Sequence, residues 1–494
     1  MTHEFIDHQS HTIQKAVGRE RSGIVVALDD LGHIFKQSDA LIKEYRIDAS
    51  SHDGPFGGIF GRDSVITADE KVASYELCPN GQLDQVIPPI TALHRFVATK
   101  DFPSAGIQKG DLIHEYRTVE EGYPPEWFAP GGIGLNYDEL DGSDRLIILD
   151  YKLIQHRPTL HSKLVESIEL MVERGIRNAR EYQGAGYVRA SDEPDRLFPG
   201  ITDKRWRDGY ATTVSDDLSF PPHPIRPVEE QALRWSSLQY GADLIGRRNR
   251  RLASQARKTA SYVQQQFFNN FVYRDAKGGF IADAVDAYNR KIHAITTDQI
   301  LVLLHGYRGR TILDDPDLQY AVIQRSFDEL FSQGGFKTVS ENGPVHPKNK
   351  YQGPKSRWPH ISAMAVQAID AEIKRTKNPR TREVLLRKAL QLGEAMLDPL
   401  VYFDSPVEGV QVTDEGEYTL EYDTTPRGKS LKYAKVQAWS GTGGEFVTQY
   451  LKSHGGPGFE PRLTDSESAV LPLDDPALNM VILPQNRFIP KLSN

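Results

Sequence analysis

Apolar residues recur at helical spacing along most of this 494-residue chain, and the helical stretches come in pairs. Leu160, Leu164, Ile168 and Met171 stand at i, i+4, i+8 and i+11, one stripe of an amphipathic helix. The spacing predicts helices over Ser64–Leu77 and Leu83–Thr99, separated by Cys78-Pro79-Asn80-Gly81. A second pair, Leu146–His156 and Leu160–Tyr182, is separated by Arg157-Pro158-Thr159, with Thr159 as the expected N-cap. Pro227–Leu244 with Ala253–Phe271, Thr296–His305 with Asp317–Ser332, and Pro359–Arg375 with Arg380–Leu397 continue the series. Trp439–Ser453 ends it. Pro227 and Pro359 stand where a first helical turn tolerates proline.

Five or six helix pairs result. Between them run long segments rich in Gly, Pro and aromatics: Asp53–Arg62, Thr118–Leu135, Gln183–His223, Gly334–Trp358 and Asp398–Val436. Loops of such length in a compact domain are usually functional. A ring of helix pairs whose loops build one pocket fits this layout. Strand signals are sparse: Gly409–Thr413 and Glu417–Tyr422 alternate well enough for a small hairpin. No short-period repeat is present, which disfavours a solenoid. The chain reads as one domain over 1–494, with 455–494 an extended tail, rich in Pro and Asp, packed on it.

Hydrophobic residues make up 39% and charged residues 26%, a soluble globular balance. The net charge is 59 − 67 = −8, which does not favour nucleic acid or an anionic membrane as partner. Arg247, Arg248, Arg250 and Arg251 read as a solvated helix start. A single cysteine, Cys78, permits no internal disulfide. No signal peptide and no run of roughly 18 apolar residues is visible, so the expected location is the cytoplasm.

Two acid-bearing segments stand more than 200 residues apart. Asp208 lies in Arg205-Trp206-Arg207-Asp208-Gly209, where the indole could shield it from water and raise its pKa, while the arginines would oppose that. An ordinary Asp-Gly turn is the plainer reading. Glu421 ends the expected hairpin, and Glu408, in Ser405-Pro406-Val407-Glu408-Gly409, competes with it. Hydrolysis of a sugar bond needs one carboxyl to protonate the leaving oxygen and another to activate water or attack the sugar. Asp63 follows a glycine-rich run, Phe56-Gly57-Gly58-Ile59-Phe60-Gly61-Arg62, and could be a simple helix N-cap. Trp358-Pro359-His360 and Gln437-Ala438-Trp439-Ser440 place tryptophans at loop-to-helix junctions, where they could pack on sugar faces or in the core. Gly428-Lys429-Ser430 fails as a phosphate loop, because Asp423 stands where that motif needs glycine. There is no Gly-x-Ser-x-Gly elbow, and no histidine set has zinc spacing.

Taken together these motifs resemble the glucosidase part of glycogen-debranching enzymes, the amylo-α-1,6-glucosidase family of inverting (α/α)6 glycosidases. The resemblance is carried by Gly61-Arg62-Asp63, by Tyr137 with Asp141-Gly142-Ser143, and by Trp206-Arg207-Asp208 with Pro227-Val228-Glu229-Glu230-Gln231-Ala232-Leu233. Trp358-Pro359-His360 and Gln437–Ser440 complete it, five short motifs in order across residues 57–440. It implies an all-α (α/α)6 toroid with a small β-hairpin near the site. It implies Asp208 as general acid, Glu421 as general base, and Asp63 on hydroxyls of the innermost sugar. Arg62, Tyr137, Asp141, Trp206, Glu229, Trp358, His360, Gln437 and Trp439 become substrate-binding candidates. It implies a carbohydrate partner and no metal or organic cofactor. Departures are Gly209, Tyr351-Gln352-Gly353, Ile361 and Leu420-Glu421-Tyr422. The sugar-binding β-domain and transferase domain of full debranching enzymes are not recognisable, so a small sucrose-like or glycosyl-polyol substrate fits as well as glycogen. The rivals are a sugar epimerase, disfavoured because His360 is the only histidine in a motif, and a sugar-binding toroid without turnover.

Overall fold

The computed structural model describes residues 24–25, 28–51, 58–79, 83–102, 107–116, 135–137, 139–181, 206–207, 211–222, 224–423, 430–455 and 462–463. Among these residues twelve α-helices form. They are α1 (Gly32–Asp39), α2 (Gly61–Leu77), α3 (Leu83–Leu93), α4 (Gly142–His156), α5 (His161–Glu181), α6 (Val228–Ile245), α7 (Arg250–Phe271), α8 (Asp298–Leu301), α9 (Pro316–Leu330), α10 (Pro359–Arg375), α11 (Pro379–Phe403) and α12 (Ala438–His454).

Packing sorts them into two rings. α2 packs on α4, α4 on α6, α6 on α8, α8 on α10, α10 on α12, and α12 returns to α2. Each of these inner helices has an outer partner: α3, α5, α7, α9, α11 and, for α12, α1. This closed double ring is an (α/α)6 toroid, as the sequence resemblance implies. The two classes differ in composition for a physical reason. An outer helix touches protein on one side only, so α7 buries a stripe of eight residues such as Leu252, Ala256, Val263 and Phe267. An inner helix touches neighbours nearly all round, and α6 buries fifteen of its eighteen residues. In α5 the stripe Leu164, Ile168 and Met171 is buried as its spacing requires.

Helix starts differ too. Outer helices α7, α9 and α11 are capped by side chains of Asn249, Asp315 and Asn378, and prolines begin α9 and α11. None of the six inner helices has a side-chain cap bond. Short strands run straight into several of them: Ile59–Phe60 into α2, Arg226–Pro227 into α6, and Ser356–Arg357 through Trp358 into α10. Acidic residues in the first turns of α2, α6 and α8, namely Asp63, Glu229, Glu230 and Asp298, suit the positive helix ends.

Several details depart from the expectations. Thr159 is not an N-cap but lies inside a 3-10 turn, Pro158–Leu160, ahead of α5. Asp63 is the third residue of α2, not its cap, which is Phe60. Pro227 precedes α6 instead of beginning it. Helix α1 was not expected. The hairpin region holds two successive pairings, Val410–Val412 with Tyr418–Thr419 and Glu421–Asp423 with Ser430–Lys432. Of the tail, Arg462–Leu463 pairs antiparallel with Ile24–Val25, and the rest past residue 455 lies outside the described residues. No described helix is long and apolar enough to cross a membrane.

Closure between α12 and its neighbours needs close approach and charge pairing. A Cβ on Gly444 would lie 2.6 Å from the Phe35 ring of α1, so only glycine fits there. Lys71 of α2 is fully buried and bridges Asp39 of α1 at 2.6 Å and Glu445 of α12. Removing one member of such a buried set strands the others. Lys71→Ala should therefore lower the unfolding free energy by about 3 kcal/mol. A urea midpoint equal to wild type would show that the bridge does not hold the ring.

Candidate active site

Contacts between residues at their first turns bring the N-terminal ends of the inner helices to one face, and the motif residues sit at these ends. Arg62 and Asp63 lie in the first turn of α2, Asp141 immediately before α4, and Glu229 in the first turn of α6. Trp358 and His360 flank the start of α10, and Gln437 and Trp439 the start of α12. Segment 48–51 joins the faces of α2 and α12, with Asp48 bridged to Ile59 and Ser50 to Gln437.

One half of the face is aromatic. The Trp206 ring lies edge-on to Trp358 at 6.1 Å and to His360 at 6.0 Å. His360 stacks on Trp439 with centroids 3.9 Å apart and planes 10° from parallel. Trp358 also meets Tyr351 at 5.0 Å and Tyr433 at 5.6 Å. The segment carrying Trp206 is tied down on two sides. Its indole donates to Asp298 Oδ1 at 2.9 Å, and its carbonyl accepts from Gln352 Nε2 at 2.8 Å. Arg207 is buried and paired with Asp283 at 2.8 Å and Asp298 at 3.4 Å, so two carboxylates neutralise its charge. Asp208 itself lies outside the described residues.

Buried polar atoms in this half have no protein partner. They are the indole nitrogens of Trp358 and Trp439, both ring nitrogens of His360, and Gln437 Oε1. Such atoms are rare in folded proteins and fit a hydroxyl-rich ligand, which supplies both donors and acceptors. Burial, with Arg145 and Arg62 nearby, pushes His360 well below the usual histidine range, so its ring is neutral at pH 7.

The other half is ionic. Asp141 accepts from Arg145 Nε at 2.7 Å and lies 3.5 Å from Arg62. Arg145 also reaches Glu229 at 2.7 Å, and His305 Nε2 meets the same Glu229 oxygen at 3.0 Å. Gln437 Nε2 donates to Asp63 at 3.3 Å, which joins the two halves. Burial pulls Glu229 upward, but Arg145 and His305 outweigh it and hold the carboxyl at about 2. Burial lowers His305 despite Glu229, so it acts as a neutral donor. Tyr137 is half-buried, and burial, with Asp111 nearby, raises its phenol. Arg145, His305 and Asp298 were not singled out from sequence. Only an arginine three residues into a helix, at Asp141-Gly142-Ser143-Asp144-Arg145, hinted at the first.

The two candidate bases differ in placement. Glu408 is 2% exposed. It accepts from the Tyr351 hydroxyl at 2.5 Å and from the Ala434 amide at 2.7 Å. Tyr351 packs on Trp358, so this carboxyl belongs to the aromatic half. Glu421 lies on the outer hairpin, its side chain 57% exposed and paired with exposed Lys432 at 2.9 Å. Side chains alternate along a strand. Lys432, opposite Glu421, is exposed, whereas its neighbour Tyr433 is buried in the aromatic cluster. Glu421 therefore faces away from that cluster.

No protein-family model and no curated protein matches this sequence. Solved structures do. An α-mannosidase of Streptococcus pneumoniae, from a family described as metal-independent, superposes with TM-score 0.52 at 14% identity, over 92% of this chain and 98% of that one. The chain has the fold of the (α/α)6 glycosidases. The neutral trehalase of Saccharomyces cerevisiae gives TM-score 0.48 at 10% identity over 80% and 72% of the two chains. A bacterial glucoamylase bound to acarbose gives 0.45 at 12% identity over 85% and 55%.

The Glu229 pairing has a pH signature. A carboxyl depressed from 4.5 to about 2 contributes stability that is full above pH 4.5 and is lost as pH falls toward 2. Glu229→Gln should lower the melting temperature at pH 7 and flatten its decline between pH 4.5 and 2. Melting curves of the two proteins with the same slope in that window would show that Glu229 is not held by Arg145 and His305.

Proposed function

We propose that this protein is an inverting glycoside hydrolase, with Asp208 as general acid and Glu408, in place of Glu421, as general base. The observation that carries the reading is the pairing, around one aromatic cluster, of Glu408 with the tethered segment that leads into Asp208. Trp206, two residues before Asp208, packs on one edge of Trp358. Tyr351, the hydroxyl partner of Glu408, packs on another. Both Glu408 oxygens accept hydrogen bonds, the pattern of the ionised form that a base requires. The guanidinium of Arg207, the arginine expected to oppose a general acid in this segment, is already paired with two carboxylates.

In this mechanism Asp208 protonates the glycosidic oxygen as the bond to the anomeric carbon breaks. Glu408 takes a proton from a water that attacks the same carbon from the opposite face. The anomeric configuration inverts. Asp63 and Gln437 bind hydroxyls of the sugar, and the Trp358, Trp439 and His360 surfaces hold its ring. Asp141 and Glu229, already engaged by arginines, set the positions of Arg62 and Arg145. An α-glucoside is the substrate that the amylo-α-1,6-glucosidase resemblance favours. The S. pneumoniae structure, a complex with α-1,6-mannobiose, adds α-mannosides to the candidates.

Monosaccharide release from isomaltose, maltose, panose, sucrose, trehalose, glucosylglycerate, limit dextrin and α-1,6-mannobiose tests the activity. Asp208→Asn and Glu408→Gln should each lower kcat by about 10²–10⁴-fold. Glu421→Gln should leave kcat near the wild-type value. Proton NMR of the first product should show the anomer opposite to that of the substrate. Loss of activity in Glu421→Gln but not in Glu408→Gln would return the base to the hairpin, and a retained anomer would sink the inverting mechanism.

A further inference from the structure

Glu139 has no role in the chemistry above, and it occupies an unusual position. It precedes α4, is 4% exposed, and neither carboxyl oxygen has a hydrogen-bond partner among the described residues. Its charged neighbours are Asp141, Arg62, Asp63 and Arg174. The arginines are otherwise engaged, Arg62 beside Asp141 and Arg174 with Asp111. Burial, reinforced by Asp141 and Asp63, pushes Glu139 well above the usual carboxylate range. It does not cap α4, since no amide bonds to it.

The chain makes room for this carboxyl. A Cβ on Gly142 would lie 1.6 Å from Glu139 Oε1, whereas the next side chain, Leu112, is 3.3 Å away. Gly142 opens a helix, where alanine would be the better former. Its backbone does not need glycine, because it is absent from the positive-φ positions. The glycine serves the carboxyl, and the carboxyl serves no protein group.

We propose that Glu139 is a specificity-determining residue of the sugar subsite that Asp63 lines, hydrogen-bonding one ring hydroxyl of a neutral pyranose held there. This rests on the glycosidase reading and deepens it. A carboxyl without a protein partner can both donate to and accept from a hydroxyl when it carries its proton. A residue of this kind costs stability in the free protein and returns it as affinity.

The test combines calorimetric titration with glucose, mannose, galactose and the 2-, 3-, 4- and 6-deoxyglucoses, and thermal melts without sugar. Variants are Glu139→Gln, Glu139→Ala, Gly142→Ala and the Glu139→Ala/Gly142→Ala pair. Glu139→Ala should weaken the best-bound hexose about tenfold or more, yet melt at or above the wild-type temperature. The loss should vanish for one deoxy sugar, the one lacking the hydroxyl that Glu139 meets. Gly142→Ala, by displacing the carboxyl, should weaken binding in the wild-type background and not further in Glu139→Ala. Unchanged hexose affinity in Glu139→Ala, or a lowered melting temperature as its only effect, would overturn the assignment and leave a structural role. Glycoside hydrolysis by wild type with that result refutes this inference alone. A wild type that neither binds a hexose nor hydrolyses the glycoside panel refutes the glycosidase reading, and this inference with it.

Discussion

Six helices enclose a space only if the last of them packs on the first. Here that contact joins α12 to α2, residues nearly 400 positions apart in the chain, and it is made of tight and polar parts. Gly443 lets Glu70 approach, Lys71 gathers two carboxylates, and the Thr442 hydroxyl donates to Glu70 at 2.6 Å. Everything at the N-terminal face follows from this closure. Once the ring shuts, six helix starts converge, and any residue beside a start is held against five others it could never meet along the sequence.

Convergence carries an electrostatic cost that the side chains resolve. Six uncapped helix starts concentrate positive ends of peptide dipoles, and the neighbouring first turns are acidic. The acids in turn need cations, and Arg62, Arg145 and Arg207 are buried among them. The outcome is a face whose ionic half holds Asp141 and Glu229 on arginines but leaves Glu139 unspent, and whose aromatic half keeps several donors and acceptors unspent. Rigid pairing fixes geometry, and unspent groups recognise ligands. The division of labour between the halves is spatial: only the contact of Gln437 with Asp63 crosses it among the bonds described.

How much of this was legible depends on the range of the interaction. α10 coincides with the expected Pro359–Arg375, because a proline, an apolar period and a terminal basic pair mark it locally. Outer helices with one apolar stripe were recognised, though the one expected over Leu83–Thr99 ends at Leu93 and the one over Arg380–Leu397 runs on to Phe403. α1 escaped because its eight residues bury only Ile34, Phe35 and Ser38, too few for a period to stand out. Apart from the expected pairing of Val410–Val412 with Tyr418–Thr419, the small sheets escaped because most strands have two residues, and alternation needs more than that to register. Among the candidate site residues, those beside tryptophans and glycines could be named from sequence, since rare residues at helix starts are visible in one dimension. The differing placement of Glu408 and Glu421 could not, because it turns on which face of a hairpin points inward. Arg145, Glu229 and His305 form a unit across 84 and 76 positions, which no local pattern announces.

The aromatic cluster has an optical consequence. Three of the five tryptophans in the chain, Trp206, Trp358 and Trp439, stand within about 6 Å of a shared neighbour, His360. Excitation absorbed by one indole is passed to the others at such separations, and two of the three have indole nitrogens without a protein partner. Three of the chain's five indoles thus share one environment. A change in the polarity of that place therefore alters the emission of three indoles together, an unlabelled reporter built into the fold.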